Sequence, residues 1–240
     1  MRVKAVVTYD GSAFYGFQRQ KSTRETVTSA IEDALKSLKI DSNITGSGRT
    51  DRGVHATGQV IHFDLPSYWS DLEKLKLNLN RKLDAISIKH IAKVDNDFHA
   101  RFSAKKRLYR YVFKTETPSV FERKYISYYA PFDEVLLQQA LECFIGTYDF
   151  KYFHKTGSDV HTTIRSIYRA KYKKINHYYF IYFEANGFLR SQARMMVECA
   201  MQCAVGKLQL SQLKAQLEGE KRYNYRLAPP EGLYLARILY

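Results

Sequence analysis

Apolar and polar positions alternate with a period of two from residue 2 to residue 9, in RVKAVVTY, which predicts a strand with one buried face. The spacing then changes. Val27, Ile31, Ala34, Leu35 and Leu38 recur at helical intervals behind Ser22-Thr23-Arg24-Glu25, which has the form of a capping box. Further along, QVIHF reads as a strand, and Ser70 and Glu73 offer a second capping box before Leu72, Leu75, Leu79 and Leu83. The segment ISIKHIAKV reads as another strand.

From about residue 104 a similar succession begins again. A strand is expected at RLYRYVFK, a short one near YISYY, and a helix from Asp133 with Leu137, Ala140, Leu141 and Phe144 on one face. TIRSIYRAKY and YYFIYFEA form the arms of a predicted hairpin, turning around Asn176 and leading through Gly187 into a long helix from about residue 188 to 205. GLYLARIL supplies a last strand. Two strand and helix sets without regular alternation point to an α+β fold: two related subdomains, 1–103 and 104–240, sharing a largely antiparallel sheet flanked by helices, with a basic cleft between them.

Composition narrows the class. Hydrophobic residues make up 45% and charged residues 26% of the 240 positions, so the chain can bury a core and is neither disordered nor a membrane protein. No apolar run approaches the roughly 20 residues of a membrane span, and the start lacks the apolar core of a signal peptide, so a cytoplasmic location is expected. Cys143, Cys199 and Cys203 lie in apolar, helix-like segments and read as buried thiols. The charge is one-sided: 38 Lys and Arg against 24 Asp and Glu give +14. Aromatic residues interleave with the basic ones in FHARFSAKKRLYRYVFK and TTIRSIYRAKYKK, the mixture an RNA surface requires.

The densest chemistry sits in GSGRTDRGVHAT, residues 46–57. Its glycines at 46, 48 and 53 free the backbone and permit close approach of a ligand. No Gly-Lys-Ser or Gly-Lys-Thr completes a phosphate loop, and the third glycine of a dinucleotide fingerprint is missing at its spacing. Asp51, between Arg49 and Arg52, can be an acid held ionised as nucleophile or base; the same spacing also describes a solvated turn. A metal site of Asp51, His55 and His62 would set a cation against the flanking arginines. Tyr109 has the pattern of a core tyrosine, and its strand mate Arg107 leaves open a ring that stacks on a base. Arg194 borders the apolar stripe Leu189, Ala193, Met196 and Ala200, and reads either as an arginine in need of a carboxylate or as one that snorkels to the surface.

Taken together, YDGSAFYGFQRQ, GRTDRGVHA, FHARFSAKKRLYRY, NGFLRSQARMM and APPEGLYL stand in the order and spacing of the bacterial tRNA pseudouridine synthase A family, and the resemblance covers essentially the whole chain. It implies a homodimeric isomerase, without cofactor or metal, that converts uridines 38, 39 and 40 of the tRNA anticodon stem-loop into pseudouridine. Asp51 matches the family's catalytic aspartate, on what is expected to be a flexible loop. Tyr109 matches its active-site tyrosine, Arg194 the arginine that pairs with the aspartate, and Arg49 resembles the one that helps displace the target base. Gln18, Arg19, Arg101, Lys105, Arg107 and Arg165 are the expected RNA contacts. Two departures stand out: Ser191-Gln192-Ala193 precedes Arg194 where the family often has His-Met-Val, and His154 to Thr163 diverges. The rivals are an RNA-binding protein without catalysis and a metal-dependent nuclease using Asp51, His55 and His62.

Overall fold

A computed structural model describes residues 1–157 and 161–240; within the divergent segment His154 to Thr163, residues 158–160 lie outside the described part. The chain runs through β1 (Arg2–Tyr9), α1 (Val27–Ser37), β2 (Thr45–Gly46), β3 (His55–Asp64), α2 (Leu72–Asn80), β4 (Ile86–Lys93), β5 (Lys106–Lys114) and β6 (Ser127–Tyr128). It continues with α3 (Glu134–Cys143), β7 (Gly146–Asp149), β8 (Ile164–Ile175), β9 (Tyr178–Ala185), α4 (Gln192–Ala204), α5 (Leu210–Leu217) and β10 (Leu233–Leu239). This is an α+β fold whose sheet is mostly antiparallel. It comprises two compact units, one formed by Met1–Lys105 with Leu235–Tyr240 and the other by Lys106–Tyr234. Among the described residues, no helix is long and apolar enough to cross a membrane.

In the first unit β1 is central, antiparallel to β3 through Arg2↔Asp64 to Tyr9↔Ala56 and to β4 through Val3↔Lys93 to Tyr9↔Ile86. Its alternation is realised: Val3, Ala5, Val7 and Tyr9 are buried. Ile31 and Leu35 of α1 and Leu75 and Leu79 of α2 are fully buried as well. Each such side chain contributes about 1.5–3 kcal/mol when removed from water, so the stripe, more than helix propensity, holds these short helices.

The helix starts differ from the capping boxes expected. α1 is capped by Thr26, whose hydroxyl accepts the Ser29 amide, and α2 by Asp71, whose carboxylate accepts the Lys74 amide at 2.9 Å. Ser22 to Glu25 stays outside α1. Thr26 has the extended backbone of a cap (φ −125°, ψ 151°) and is fully buried, so its hydroxyl is committed to the helix end. At α2 the charged oxygen of Asp71 suits the positive end of the helix better than the neighbouring Ser70 hydroxyl.

In the second unit β9 lies between β5 and β8, antiparallel to both, with Tyr109↔Phe183 and Tyr172↔Ile181 among the pairs. The β8–β9 hairpin turns at Asn176, which adopts φ 53°, a left-handed value that asparagine tolerates. Tyr111, Phe113, Phe144, Phe150, Phe153 and Phe183 are buried to under 2% exposure. Helix α4 begins at Gln192, later than the 188 expected, so Leu189 lies before it; Leu189, Ala193, Met196 and Ala200 are all buried. The short β2 and β7, and α5, have too few apolar positions to announce themselves in the sequence.

Candidate active site

The segment 46–57 links β2 to β3 and is fastened along its length, in contrast to the flexible loop expected. The amide of Ser47 donates to Val60 O, the Gln59 amide nitrogen donates to Gly48 O at 2.7 Å, and the Ser47 hydroxyl donates to Gln59 Oε1. Past Asp51, the Val54 amide closes a turn on Asp51 O at 3.1 Å, with Gly53 at φ 78°, the value a type II turn demands. The three glycines therefore act differently. Gly53 supplies conformation, whereas Gly46 supplies room, since a β-carbon there would stand 2.4 Å from the Phe17 ring.

Thr50 anchors the middle of the loop. Its hydroxyl lies 2.8 Å from the Tyr9 hydroxyl, both residues being buried, and its carbonyl accepts the Phe17 amide at 3.1 Å. Burial pushes the Tyr9 phenol up, against the opposite pull of Thr50 and Gln59, so the hydroxyl keeps its proton. The motif around Gly11 closes the other side. Gly53 N donates to Gly11 O, Gly11 N donates to His55 Nδ1 at 3.0 Å, and a β-carbon on Gly11 would meet Val54 O at 2.1 Å. Asp51 is thus a half-exposed carboxylate on a bonded turn, with Arg49 and Arg52 exposed on either side and the Arg52 guanidinium 4.2 Å over the Tyr15 ring. The same contacts bring exposed Gln18 and Arg19 beside this turn, Arg19 pairing with Glu32 at 3.2 Å. The two histidines of the metal alternative accept backbone amides at Nδ1, His55 from Gly11 and His62 from Ala100 at 3.1 Å.

In the second unit the candidates converge on the turn Asn186-Gly187-Phe188 between β9 and α4. The Arg107 guanidinium donates to Asn186 O at 2.8 Å, and the Tyr109 ring, 7% exposed, meets the Phe188 ring edge-on at 4.9 Å. Arg165, whose guanidinium donates to Thr162 O at 2.9 Å and to Ile164 O at 2.6 Å, flanks Gly187. Arg194 and the APPEG segment hold one another: Arg194 Nε donates to Ala228 O at 2.8 Å, and Ala228 N donates to Arg194 O. The hydroxyl of Tyr111, two residues on from Tyr109 in the strand, donates to Pro229 O at 3.1 Å and lies 2.8 Å from the Ser127 hydroxyl. A β-carbon at Gly232 would stand 2.7 Å from Val112 O, which accounts for the glycine of PPEG.

A family model described as tRNA pseudouridine synthase matches residues 5–103 and 140–240. A tRNA pseudouridine synthase A of Campylobacter jejuni is 40% identical over 241 residues that cover 100% of both chains. The chain belongs to the tRNA pseudouridine synthase family. A tRNA pseudouridine synthase A of Streptococcus agalactiae is 39% identical over 251 residues, 100% of this chain and 95% of that one. Among solved structures, a Cbf5-Nop10-Gar1 complex aligns over 83% of this chain and 45% of that chain, with a TM-score of 0.34 and 12% identity.

Within the family match stand Asp51, Arg49, Gln18, Arg19, Arg101, Arg165 and Arg194, whereas Lys105, Arg107 and Tyr109 fall in the unmatched stretch 104–139. Tyr9, Thr50, Gln59 and Phe188 were not singled out as site residues in the sequence. Tyr9 reads there only as part of the first strand and Phe188 only as the start of the long helix, and their neighbours in space reveal what they hold.

Proposed function

We propose that this synthase isomerises uridines 38, 39 and 40 of the tRNA anticodon stem-loop to pseudouridine, with Asp51 as the carboxylate that opens the reaction. The isomerisation breaks the C1′–N1 bond, turns the uracil, and joins C1′ to C5; the C5 proton leaves and N1 gains one. No net oxidation or hydrolysis occurs, so the balance calls for no redox cofactor. The chemistry needs an ionised carboxylate, to add to the base or sugar or to remove a ribose proton, and then a base for the C5 proton. A stacked and paired uridine is out of reach of any side chain and must be flipped, at a cost of a few kcal/mol.

The observation that carries this reading is the bonded turn that presents Asp51 half-exposed between two exposed arginines. In this reading Arg49 fills the place the uracil vacates, Tyr109 stacks on the flipped ring, and Arg194 binds substrate through its planar fork. Gln18, Arg19, Arg101, Lys105, Arg107 and Arg165 are assigned to the RNA backbone, in keeping with the net charge of +14. The resemblance adds a homodimer, and tRNA as substrate adds the cytoplasm; a sedimentation run at micromolar protein tests the dimer.

The deciding experiment incubates a tRNA transcript carrying tritium at uridine C5 with the protein and measures released tritium. Wild type releases it, and Asp51→Asn binds the same tRNA and releases none. Turnover by Asp51→Asn removes the aspartate from this role, and no release by wild type removes the activity itself.

A further inference from the structure

Phe102, at the end of the β4–β5 connection, has 76% of its surface exposed. Single exposed apolar residues are ordinary on protein surfaces. What sets this one apart is how firmly it is held. One face of its ring stacks on His99 at 4.3 Å and 30°, and His99 in turn lies 5.0 Å from His62. His99 Nδ1 accepts the amides of both Arg101 and Phe102 at 3.2 Å, while Ser103 N donates to His99 O and His99 N donates to the Ser103 hydroxyl. The connection is tied down on both sides. Ala100 N donates to His62 Nδ1, Tyr240 OH donates to Ala100 O at 2.8 Å, and the Arg2 guanidinium donates to Asn96 O and Phe98 O while gripping Asp64.

Cations lie along this connection, beside the Asp64 and Asp97 carboxylates that face Arg2. The Arg101 guanidinium carbon lies 5.6 Å from the Phe102 ring centre, and the Lys4 ammonium stands over Phe98 and Tyr240 at 5.6 and 5.3 Å. Burial, together with neighbouring positive charge, lowers the His62 and His99 imidazoles below their ordinary value, so the plate beneath Phe102 is neutral at neutral pH.

We propose that Phe102 is a stacking platform for an unpaired base of the RNA substrate, with Arg101 and Lys4 serving the phosphates beside that base. A flat ring with one face on a fixed neighbour and the rest toward solvent accepts a base without side-chain ordering cost, and every base has a π-face to offer. This rests on the tRNA reading above and adds a contact that reading does not contain.

The test compares wild type, Phe102→Ala, Phe102→Trp and Arg101→Gln for binding of an unmodified tRNA transcript across a salt series, with tritium release measured in parallel. Phe102→Ala is expected to weaken binding roughly tenfold or more with an unchanged salt slope, because it removes a stack and no phosphate contact. Phe102→Trp is expected to restore binding, and Arg101→Gln to flatten the salt slope by about 0.7–0.9. If wild type binds and turns over tRNA but Phe102→Ala binds equally well, the platform alone falls. A Phe102→Ala change that moves the sedimentation coefficient and not the tRNA affinity makes the ring a contact between protein copies and overturns it. Failure of wild type to bind or modify tRNA removes the substrate reading, and the platform with it.

Discussion

Replacing Tyr9 by Phe removes one oxygen from the buried pair that anchors the candidate catalytic turn. The phenol is 4% exposed and 2.8 Å from Thr50 Oγ1, itself on a residue 7% exposed, so neither hydroxyl can turn to bulk water for a substitute partner. A buried polar group left unsatisfied costs about 1–3 kcal/mol. For a chain of 240 residues that corresponds to a fall in melting temperature of about 2–4 °C per kcal/mol. Thr50→Val takes one of two partners from the Tyr9 hydroxyl and leaves it the Gln59 contact, so its loss is expected at the lower end of that range. In the double variant neither hydroxyl of the pair remains to be stranded, so its loss is expected to be smaller than the sum of the single losses by about 1 kcal/mol. Urea unfolding of the four proteins measures that coupling. Because Thr50 is bonded to Asp51 through the chain, the same cut should lower kcat about tenfold, equivalent to about 1.4 kcal/mol of transition-state binding, with KM for tRNA little changed. Strictly additive single losses refute the hydrogen-bond argument, and an unchanged kcat beside a measured stability loss refutes the claim that the pair positions Asp51.

Three further outcomes follow from other sites. Glu122 accepts the Ser119 amide, the Tyr178 hydroxyl and the Lys114 ammonium, and these bonds hold its carboxyl at about 2, below the ordinary 4.5. Its stabilising effect is therefore complete above pH 4.5 and is lost as pH falls toward 2, so Glu122→Gln should be less stable than wild type at neutral pH and equal to it at the acid end of an unfolding series. Burial raises the Cys203 thiol to about 12 and the Cys199 thiol further still, while Cys143 is half-buried; a thiol reagent at neutral pH should label Cys143 first and the other two only after unfolding. Arg194→Lys keeps the charge but gives up the planar donor set that reaches Ala228 O, so tRNA affinity should fall together with tritium release; wild-type affinity and turnover in that variant would exclude the assigned role.

Long, strongly patterned elements could be read from the residues alone, since a buried face leaves a period. β1, the β8–β9 hairpin, the Asp133 cap of α3 and the buried stripe of α4 all stand where their patterns put them. The starts of α1 and α2 did not, because Ser22 and Thr26, or Ser70 and Asp71, are all residue types that cap helices, and burial, backbone geometry and charge choose between them. β2 and β7 span too few residues to show a period, and α5 carries only a narrow stripe of Leu213 and Leu217.

For the candidate site the division is similar. Motif order named the family and singled out Asp51, Tyr109 and Arg194, because reacting groups come from a small set of side chains whose local spacing is retained in one chain. The sequence by itself therefore determined the strand and helix periods and the basic surplus, and put Asp51 forward as the candidate acid. Only the tertiary structure decided that the Asp51 turn is clamped by Tyr9 and Gln59, that Arg107, Tyr109 and Arg165 gather on the Asn186–Phe188 turn, and that Phe102 stands exposed to solvent on His99. Those pairings join residues far apart along the chain, through contacts of a few ångströms that depend on strand register and backbone angles, and a one-dimensional pattern of side-chain types does not carry that information.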